Sequence, residues 1–210
     1  MSESRYVVGI DLGTTNSVLS YVDAQSGQDH PPVTVFPLPQ LTGVGSVEDK
    51  SQLPSFLYQV HETEFAPGDL NLPWEYDAQT VAGAFARQLG AKTPIRLVAS
   101  AKSWLCHPGV DRRSEFLPLQ SPDEVKKMSP LQASAAYLSY LRHAWDAAHP
   151  DAPLSHQQVT LTVPASFDPS ARDYTIEAAH LAGLHQLTLL EEPQAALYSW
   201  VQNHGEDWRK

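Results

Sequence analysis

The sequence predicts an α/β fold built on a mixed β-sheet with flanking helices, and two observations carry this prediction. Roughly the last sixty residues alternate between strand-like and helix-like segments, which is typical of parallel strands joined by helices. Near the N-terminus, strand-like runs over 5–10 and 17–22 flank a short polar turn, which predicts an antiparallel hairpin.

The C-terminal elements have clear start and stop signals. A strand is predicted over 158–163, and a helix begins at Asp168-Pro169 and ends before Gly183. A second strand over 187–190 leads into a helix that starts at Pro193. Since the apolar faces of these elements need further strands to complete a sheet, we expect the N-terminal hairpin to join them.

Elements before residue 150 vary in clarity. Ser129-Pro130 combines a capping serine with a proline at the first helical position, and apolar residues then recur along one face as far as Trp145. We also predict a helix over 77–89, capped by Asp77, with apolar residues at fourfold spacing (Val81, Phe85 and Leu89). Strands are predicted over 53–60 and 95–99.

These elements suggest two subdomains. Residues 1–45 and 126–210 form the core, because both ends of the chain contribute to one sheet, and residues 46–125 are inserted into it.

Composition narrows the range of functions. The formal net charge is −10 and no run of five basic residues occurs, which argues against nucleic-acid binding. No apolar stretch approaches the ~18 residues that a membrane helix needs, and the N-terminus lacks a secretory signal, so we expect a cytoplasmic protein that binds no membrane. The histidine spacing does not fit a helical zinc motif, and the dispersed tryptophans are expected to be packing residues.

The segment Asp11-Leu-Gly-Thr-Thr-Asn16 is a candidate phosphate site. Gly13 lets the backbone turn tightly, Thr14 and Thr15 offer amides and hydroxyls to phosphate oxygens, and Asp11 could hold a hydrated magnesium ion. The motif is not the lysine-containing loop of P-loop enzymes. On its own the motif favours an ordinary hairpin turn over a phosphate site, because Asp and Gly are common in such turns.

Three further segments occur in a fixed order: Thr162-Val-Pro-Ala-Ser-Phe167 followed by Arg172, Ala178-Ala-His-Leu-Ala-Gly-Leu184, and Leu190-Glu-Glu-Pro-Gln-Ala-Ala196. Together with the N-terminal turn, they resemble the 70-kilodalton heat-shock family in order and spacing. The resemblance spans nearly the whole chain and is vague between about 25 and 95.

This resemblance implies the first lobe of an actin-like, ribonuclease H-like ATPase domain. The expected function is half of the ATP-binding and ATP-hydrolysing domain of a chaperone that binds and releases unfolded polypeptides. The second lobe and the peptide-binding domain are expected outside this chain, with Lys210 near the crossover, so the chain alone is expected to be inactive. The implied cofactors are ATP or ADP, magnesium and potassium, and the implied partners include a J-domain co-chaperone and a nucleotide-exchange factor.

The resemblance also assigns roles to individual residues. Lys102 matches a lysine that reaches the γ-phosphate and the attacking water, and Glu192 matches a glutamate that orients a metal-bound water. Asp11, the candidate for holding hydrated magnesium, is grouped with Lys102 and Glu192 as a catalytic candidate, and Gly13 to Asn16 are the phosphate-binding candidates of the N-terminal turn that shares the resemblance. Pro164 and Arg172 match a relay between the nucleotide state and the peptide-binding domain. Without the resemblance, Lys102 would be interpreted as a surface lysine, and Glu192 as an acidic residue at a helix N-terminus.

Several positions depart from the family pattern and indicate an atypical branch. Gln194 and Trp200 replace a threonine and a glycine, and Ile176, His180 and Thr188 stand where typical members carry basic residues. These departures put J-domain coupling in doubt. Two alternative functions share the superfamily fold: a small-molecule kinase, and a filament or regulatory protein that is switched by nucleotide.

Overall fold

The computed structural model describes residues 4–75 and 78–205. Asp77, the predicted helix cap, Lys210, near the predicted crossover, and Trp208, one of the dispersed tryptophans, lie outside the described residues. The strands are β1 (Tyr6–Leu12), β2 (Asn16–Asp23), β3 (Thr34–Val35), β4 (Leu38–Gly43), β5 (Ser46–Lys50), β6 (Leu53–Pro54), β7 (Phe56–Gln59), β8 (Thr80–Ala82), β9 (Leu97–Ala99), β10 (Gln158–Val163) and β11 (Leu187–Glu191). The α-helices are α1 (Ala84–Lys92), α2 (Ala101–Leu105), α3 (Pro130–Ala148), α4 (Pro169–Leu181) and α5 (Glu192–His204).

The main sheet joins the two ends of the chain, in the strand order β11-β10-β1-β2-β3, with β6 also paired to β2. β1 is antiparallel to β2 and parallel to β10, which is parallel to β11. The mixed sheet and its N-terminal hairpin are therefore confirmed. Every second residue of β1 is buried, as expected for a strand with one face on the core.

Helix α3 covers this sheet and begins as the sequence predicted. The Ser129 hydroxyl accepts a hydrogen bond from the Gln132 amide, and the Gln132 side chain accepts one from the Ser129 amide, which completes a capping box. Near its other end, Trp145 is fully buried, and its indole nitrogen donates to the Ala152 carbonyl at 2.9 Å. The helix therefore anchors the core at both ends.

The predicted C-terminal elements are also confirmed. Asp168 caps α4 by accepting a hydrogen bond from the Ala171 amide at 2.7 Å. Gly183 ends this helix with a φ of +81°, where a side chain would be strained and would meet the Arg142 guanidinium. Helix α5 begins at Glu192, one residue earlier than expected.

The predicted helix over 77–89 is wrong in its first half. Val81 belongs to strand β8 and pairs with Tyr58 of β7, and α1 begins only after Gly83, whose φ is +80°. Here, strand pairing with a distant segment overrides the helical spacing of the apolar residues.

Two predicted strands also differ from the structure. The strand predicted over 53–60 is two strands in separate sheets, β6 on β2 and β7 between β8 and β9. The strand predicted over 95–99 begins only at Leu97, because Pro94–Arg96 form a 3-10 turn.

The predicted subdomains share one apolar core. Buried side chains run continuously from the main sheet, through α3, to the small sheet of β7, β8 and β9. The hairpin of β4 and β5 spans the predicted boundary between residues 45 and 46. Among the described helices, none is long and apolar enough to cross a lipid bilayer.

Candidate functional site

The carboxyl ends of three neighbouring strands meet at one edge of the main sheet. In the strand register, Asp11 of β1 lies beside Thr162 of β10, and Thr162 lies beside Leu190 of β11. Glu191 and Glu192 follow directly at the end of β11. In open α/β sheets, ligands bind at the carboxyl ends of the strands, so this edge is the candidate site.

The turn between β1 and β2 is tighter than the sequence suggested. Asp11 and Asn16 belong to the strands, so only residues 13–15 form the turn. A Cβ atom on Gly13 would lie 2.1 Å from the Asn16 carbonyl oxygen, a distance that no side chain could tolerate. Thr14 and Thr15 are exposed at its tip. The turn therefore requires glycine and presents both threonines outward.

Ser55 stabilises this turn through hydrogen bonds to its backbone. It is buried between β6 and β7, and its hydroxyl donates a 2.7 Å hydrogen bond to the Gly13 carbonyl. Its amide donates to the Thr15 carbonyl at 2.8 Å, and its hydroxyl lies 3.2 Å from that of the buried Ser17. With two carbonyls of the turn occupied from behind, the backbone is held in one conformation.

Asp11 lies beside the turn on the exposed side of β1. One of its carboxylate oxygens accepts a hydrogen bond from the Thr162 hydroxyl at 3.0 Å. This contact between neighbouring strands fixes the carboxylate at the sheet edge while leaving it in contact with solvent. An exposed, oriented carboxylate suits a magnesium ion that keeps most of its water ligands.

Lys102 and Glu192 meet although they are 90 residues apart in sequence. The ammonium of Lys102, in α2, donates a 2.8 Å hydrogen bond to a carboxylate oxygen of Glu192, the first residue of α5. The Lys102 side chain is only 11% exposed, whereas that of Glu192 is 42% exposed. The lysine ammonium also lies 5.8 Å from the centre of the Phe167 ring. The amine is therefore held between an aromatic ring and a carboxylate.

Arg172 contacts two residues that neighbour this pair, Glu191 and Phe167. Its guanidinium donates to a carboxylate oxygen of Glu191 at 2.7 Å and to the Phe167 carbonyl at 3.2 Å. Pro164 begins the turn after β10, where its carbonyl accepts a hydrogen bond from the Phe167 amide at 3.1 Å. The two predicted relay residues thus contact the segment that borders Lys102 and Glu192.

The structure brings most of the predicted site residues to one edge, but in three groups. Lys102 pairs with Glu192, Arg172 pairs with Glu191, and Asp11 bonds to Thr162. Within the described part of the chain, no hydrogen bond or ion pair joins Lys102 to the turn at 13–15. A bound ligand would have to bridge these groups.

Sequence reasoning gave no role to Ser55, Thr162 and Phe167. Thr162 and Phe167 delimit one of the recognised segments, and their position there is the signal that could have identified them. Ser55 lies in an ordinary strand-like run, and nothing in its sequence neighbourhood marks it as a support for a distant turn.

Comparisons with known proteins show the family to which this chain belongs. The family model described as Hsp70 protein matches residues 78–203, which include Lys102, Arg172 and Glu192. The chain belongs to the Hsp70 family. Membership implies an actin-like ATPase fold, with which the mixed sheet is consistent, and nucleotide binding.

Hsp70-family relatives match almost the whole chain. The chaperone protein HscA of Enterobacter sp. (strain 638) is 31% identical, and that of Pectobacterium carotovorum subsp. carotovorum (strain PC1) is 31% identical. The chaperone protein HscA of Xenorhabdus nematophila is 27% identical. Each alignment covers 98% of this chain and 30% of the relative. The chain thus spans about 30% of the length of these relatives.

The positions that depart from the usual Hsp70 pattern lie mostly at the surface. Gln194, His180 and Thr188 are exposed, and Ile176 is half-buried. Trp200 is 45% exposed, and its ring stacks on His204 at 4.2 Å between ring centres. These residues are placed where they can contact other molecules or other parts of a larger protein.

Proposed function

We propose that this chain forms the first lobe of an Hsp70 ATPase domain and supplies one wall of an ATP site. In this proposal, residues 1–45 and 126–210 form the core of the lobe and residues 46–125 form its inserted subdomain. The single observation that supports the proposal most strongly is the ion pair of Lys102 and Glu192 at the sheet edge that also holds the Gly13 turn.

The chemistry of the donors fits a magnesium nucleotide. ATP supplies the transferable γ-phosphoryl group, and magnesium neutralises part of its charge. Gly13 to Asn16 present backbone and hydroxyl groups to phosphate oxygens, with Ser55 holding the backbone in place. Asp11 would hold the magnesium ion through its water ligands, because its carboxylate is exposed and fixed by Thr162. Potassium enters the proposal through family resemblance alone.

Lys102 and Glu192 have different roles near the γ-phosphoryl group of ATP. The Lys102 ammonium places positive charge beside the transferred group, whose negative charge is spread over its oxygens, and the low exposure of the lysine strengthens that interaction. Glu192 accepts a hydrogen bond from the attacking water or from a metal-bound water, and so orients it. In the structure the two side chains neutralise each other, so in the nucleotide complex phosphate oxygens would replace Glu192 beside the ammonium and water would replace Lys102 beside the carboxylate.

The protein that contains this chain would couple hydrolysis to the binding and release of unfolded polypeptides. Arg172 and Pro164 would form part of that coupling, since they contact the segment bordering the proposed catalytic pair. A second lobe, a peptide-binding domain, a J-domain co-chaperone and a nucleotide-exchange factor are the partners that this proposal includes, in the cytoplasm.

Magnesium-dependent hydrolysis tests the proposal. Asp11→Asn keeps the size of the side chain and its bond to Thr162 but removes its charge. In the protein that contains this chain, we expect this variant to hydrolyse ATP more slowly and to require more magnesium for half-maximal rate. Asp29→Asn, at an exposed position, is the control. An unchanged magnesium requirement in Asp11→Asn would refute the role of this carboxylate.

A further inference from the structure

Lys102 lies in α2, a helix that is too short to be stable by itself. Helix α2 has five residues, far fewer than the ~12 that make an isolated helix stable. Ser100, at its N-terminus, adopts a left-handed conformation with a φ of +57° and provides no side-chain cap. The position of the lysine must therefore be set by the segments packed against α2 and by the chain that follows it.

The following chain, residues 106–116, is fastened to α4 by two arginines. Both terminal nitrogens of Arg113 donate to the two carboxylate oxygens of Glu177 at 2.7 Å, which is a bidentate pair. The side chain of Arg112 is 8% exposed, and its guanidinium lies 3.5 Å from the Asp168 carboxylate. Each guanidinium is also 5.4 Å from the centre of the Tyr174 ring. We call these five residues the arginine clamp.

The same segment is also tied to the start of α3. The Leu131 amide donates to the Arg112 carbonyl at 3.3 Å, and the Gln132 side chain donates to the Glu115 carboxylate at 2.8 Å. The segment therefore spans from α3 to α4 and follows Lys102 closely in sequence. The segment thus links α3 to α4.

Helix α4 reaches the proposed catalytic pair from its other side. Through Arg172, it contacts the Glu191 carboxylate and the Phe167 carbonyl, and the Phe167 ring lies next to the Lys102 ammonium. Thus α4 is connected to Lys102 twice, once through the ring of Phe167 and once through the clamp and α2. A shift of α4 would move both contacts.

We propose that Arg112 and Arg113 are positioning residues: by tying the chain that follows α2 to α4, they fix the Lys102 ammonium beside Glu192. The ion pair of Arg113 and Glu177 is exposed. Exposed ion pairs typically contribute little to the free energy of unfolding. The pair matters for geometry instead, because two parallel hydrogen bonds allow one relative orientation of the two side chains. The consequence for hydrolysis rests on the proposed function, whereas the clamp itself does not.

Chemical labelling of lysines tests the clamp without any assay of activity. The protein that contains this chain is acetylated with an N-hydroxysuccinimide ester, and the rate at each lysine is followed by mass spectrometry. Lys102 reacts slowly in the wild type because it is buried and paired, and the exposed Lys92 serves as an internal reference. In Arg113→Ala and Glu177→Ala, we expect the Lys102 rate to rise about fivefold, equivalent to about 1 kcal/mol, with Lys92 unchanged.

Two further variants separate positioning from general loosening. The charge-reversed double variant, Arg113→Glu with Glu177→Arg, should return the Lys102 rate towards that of the wild type. Arg5→Ala removes a comparable exposed ion pair with Asp23, far from α2, and should leave the Lys102 rate unchanged. The proposal is overturned if the Lys102 rate stays at the wild-type value in Arg113→Ala, or if Lys92 accelerates equally.

Kinetics of the same variants test the catalytic consequence. We expect Arg113→Ala to lower kcat for ATP hydrolysis while KM for ATP stays within about twofold, and the charge-reversed variant to recover part of kcat. Faster labelling of Lys102 with unchanged kcat would support the clamp and contradict the proposed role of Lys102 in hydrolysis. Slower turnover without faster labelling would contradict the clamp.

Discussion

Lys102 and Glu192 form a 2.8 Å ion pair that connects α2 to the start of α5 across the edge of the main sheet. The lysine end is nearly buried and the glutamate end is open to solvent. The pair thus presents its carboxylate to the space in which we place the nucleotide, with the ammonium behind it.

Ser55→Ala should destabilise the fold through the turn at residues 13–15. The variant leaves the Gly13 carbonyl and the buried Ser17 hydroxyl without this partner, at a cost of about 1–3 kcal/mol. Urea unfolding followed by circular dichroism measures the loss. Ser46→Ala, at an exposed strand position, should change stability by less than about 0.5 kcal/mol. Equal stability of the two variants would show that Ser55 does not support the turn.

Arg172→Ala should uncouple the site from peptide binding. The variant frees the Glu191 carboxylate and the Phe167 carbonyl but leaves the Lys102 pair intact. In the protein that contains this chain, we expect basal hydrolysis to change little and its stimulation by unfolded peptide to fall about fivefold or more, the lower range of typical coupling energies. Steady-state hydrolysis with and without peptide measures this, with Arg5→Ala as the control. Full stimulation in Arg172→Ala would contradict the relay.

His143 should make stability depend on pH below neutrality. Burial, followed by the neighbouring Arg142 charge, lowers the pKa of His143, although Asp146 partly opposes this. The Arg142 guanidinium can only donate, so the His143 nitrogen 2.7 Å away accepts and is unprotonated. Because the unfolded chain takes up the proton first, stability falls as the pH drops below about 6.5, at up to about 1.4 kcal/mol per pH unit.

The measurement for His143 is urea unfolding at pH 7.5 and pH 5.5. In His143→Gln, the difference in the free energy of unfolding between the two pH values should shrink. His61→Gln, at an exposed position, should keep the wild-type difference. If both variants retain the full pH dependence, protonation of His143 does not limit stability.

The 210-residue chain by itself should bind ATP weakly and should not turn it over. The described residues supply one wall of the proposed site, and in the proposed function the second lobe supplies the other wall. Titration calorimetry with magnesium and ATP measures the affinity. Submicromolar binding or repeated turnover by the purified chain would contradict the division of the site between two lobes.

The parts of the fold that the sequence predicted well are those with local signals. Ser129-Pro130, Asp168-Pro169 and Gly183 determine helix ends through caps and backbone angles that depend on nearby residues. Val81 shows the limit of this reasoning. Its spacing to Phe85 and Leu89 is helical, but it pairs with Tyr58, and no local pattern indicates that partner.

The candidate site likewise contains some residues that the sequence predicted and others that it did not. Family motifs placed Asp11, Lys102 and Glu192 in one site, and the structure brings them to one sheet edge. The supporting residues were not predictable in this way. Ser55 and Arg113 act through contacts 42 and 64 residues away in sequence, and such contacts leave no periodic pattern.

Single-turnover hydrolysis by Lys102→Ala tests the central claim most directly. In the protein that contains this chain, loss of the ammonium should slow hydrolysis of bound ATP by ~10² or more, because its charge acts mainly in the transition state. Equilibrium ATP affinity should change far less, and Lys92→Ala should match the wild type in both measurements. Hydrolysis of bound ATP by Lys102→Ala at the wild-type rate would contradict the assignment of this edge as the catalytic wall of an ATP site.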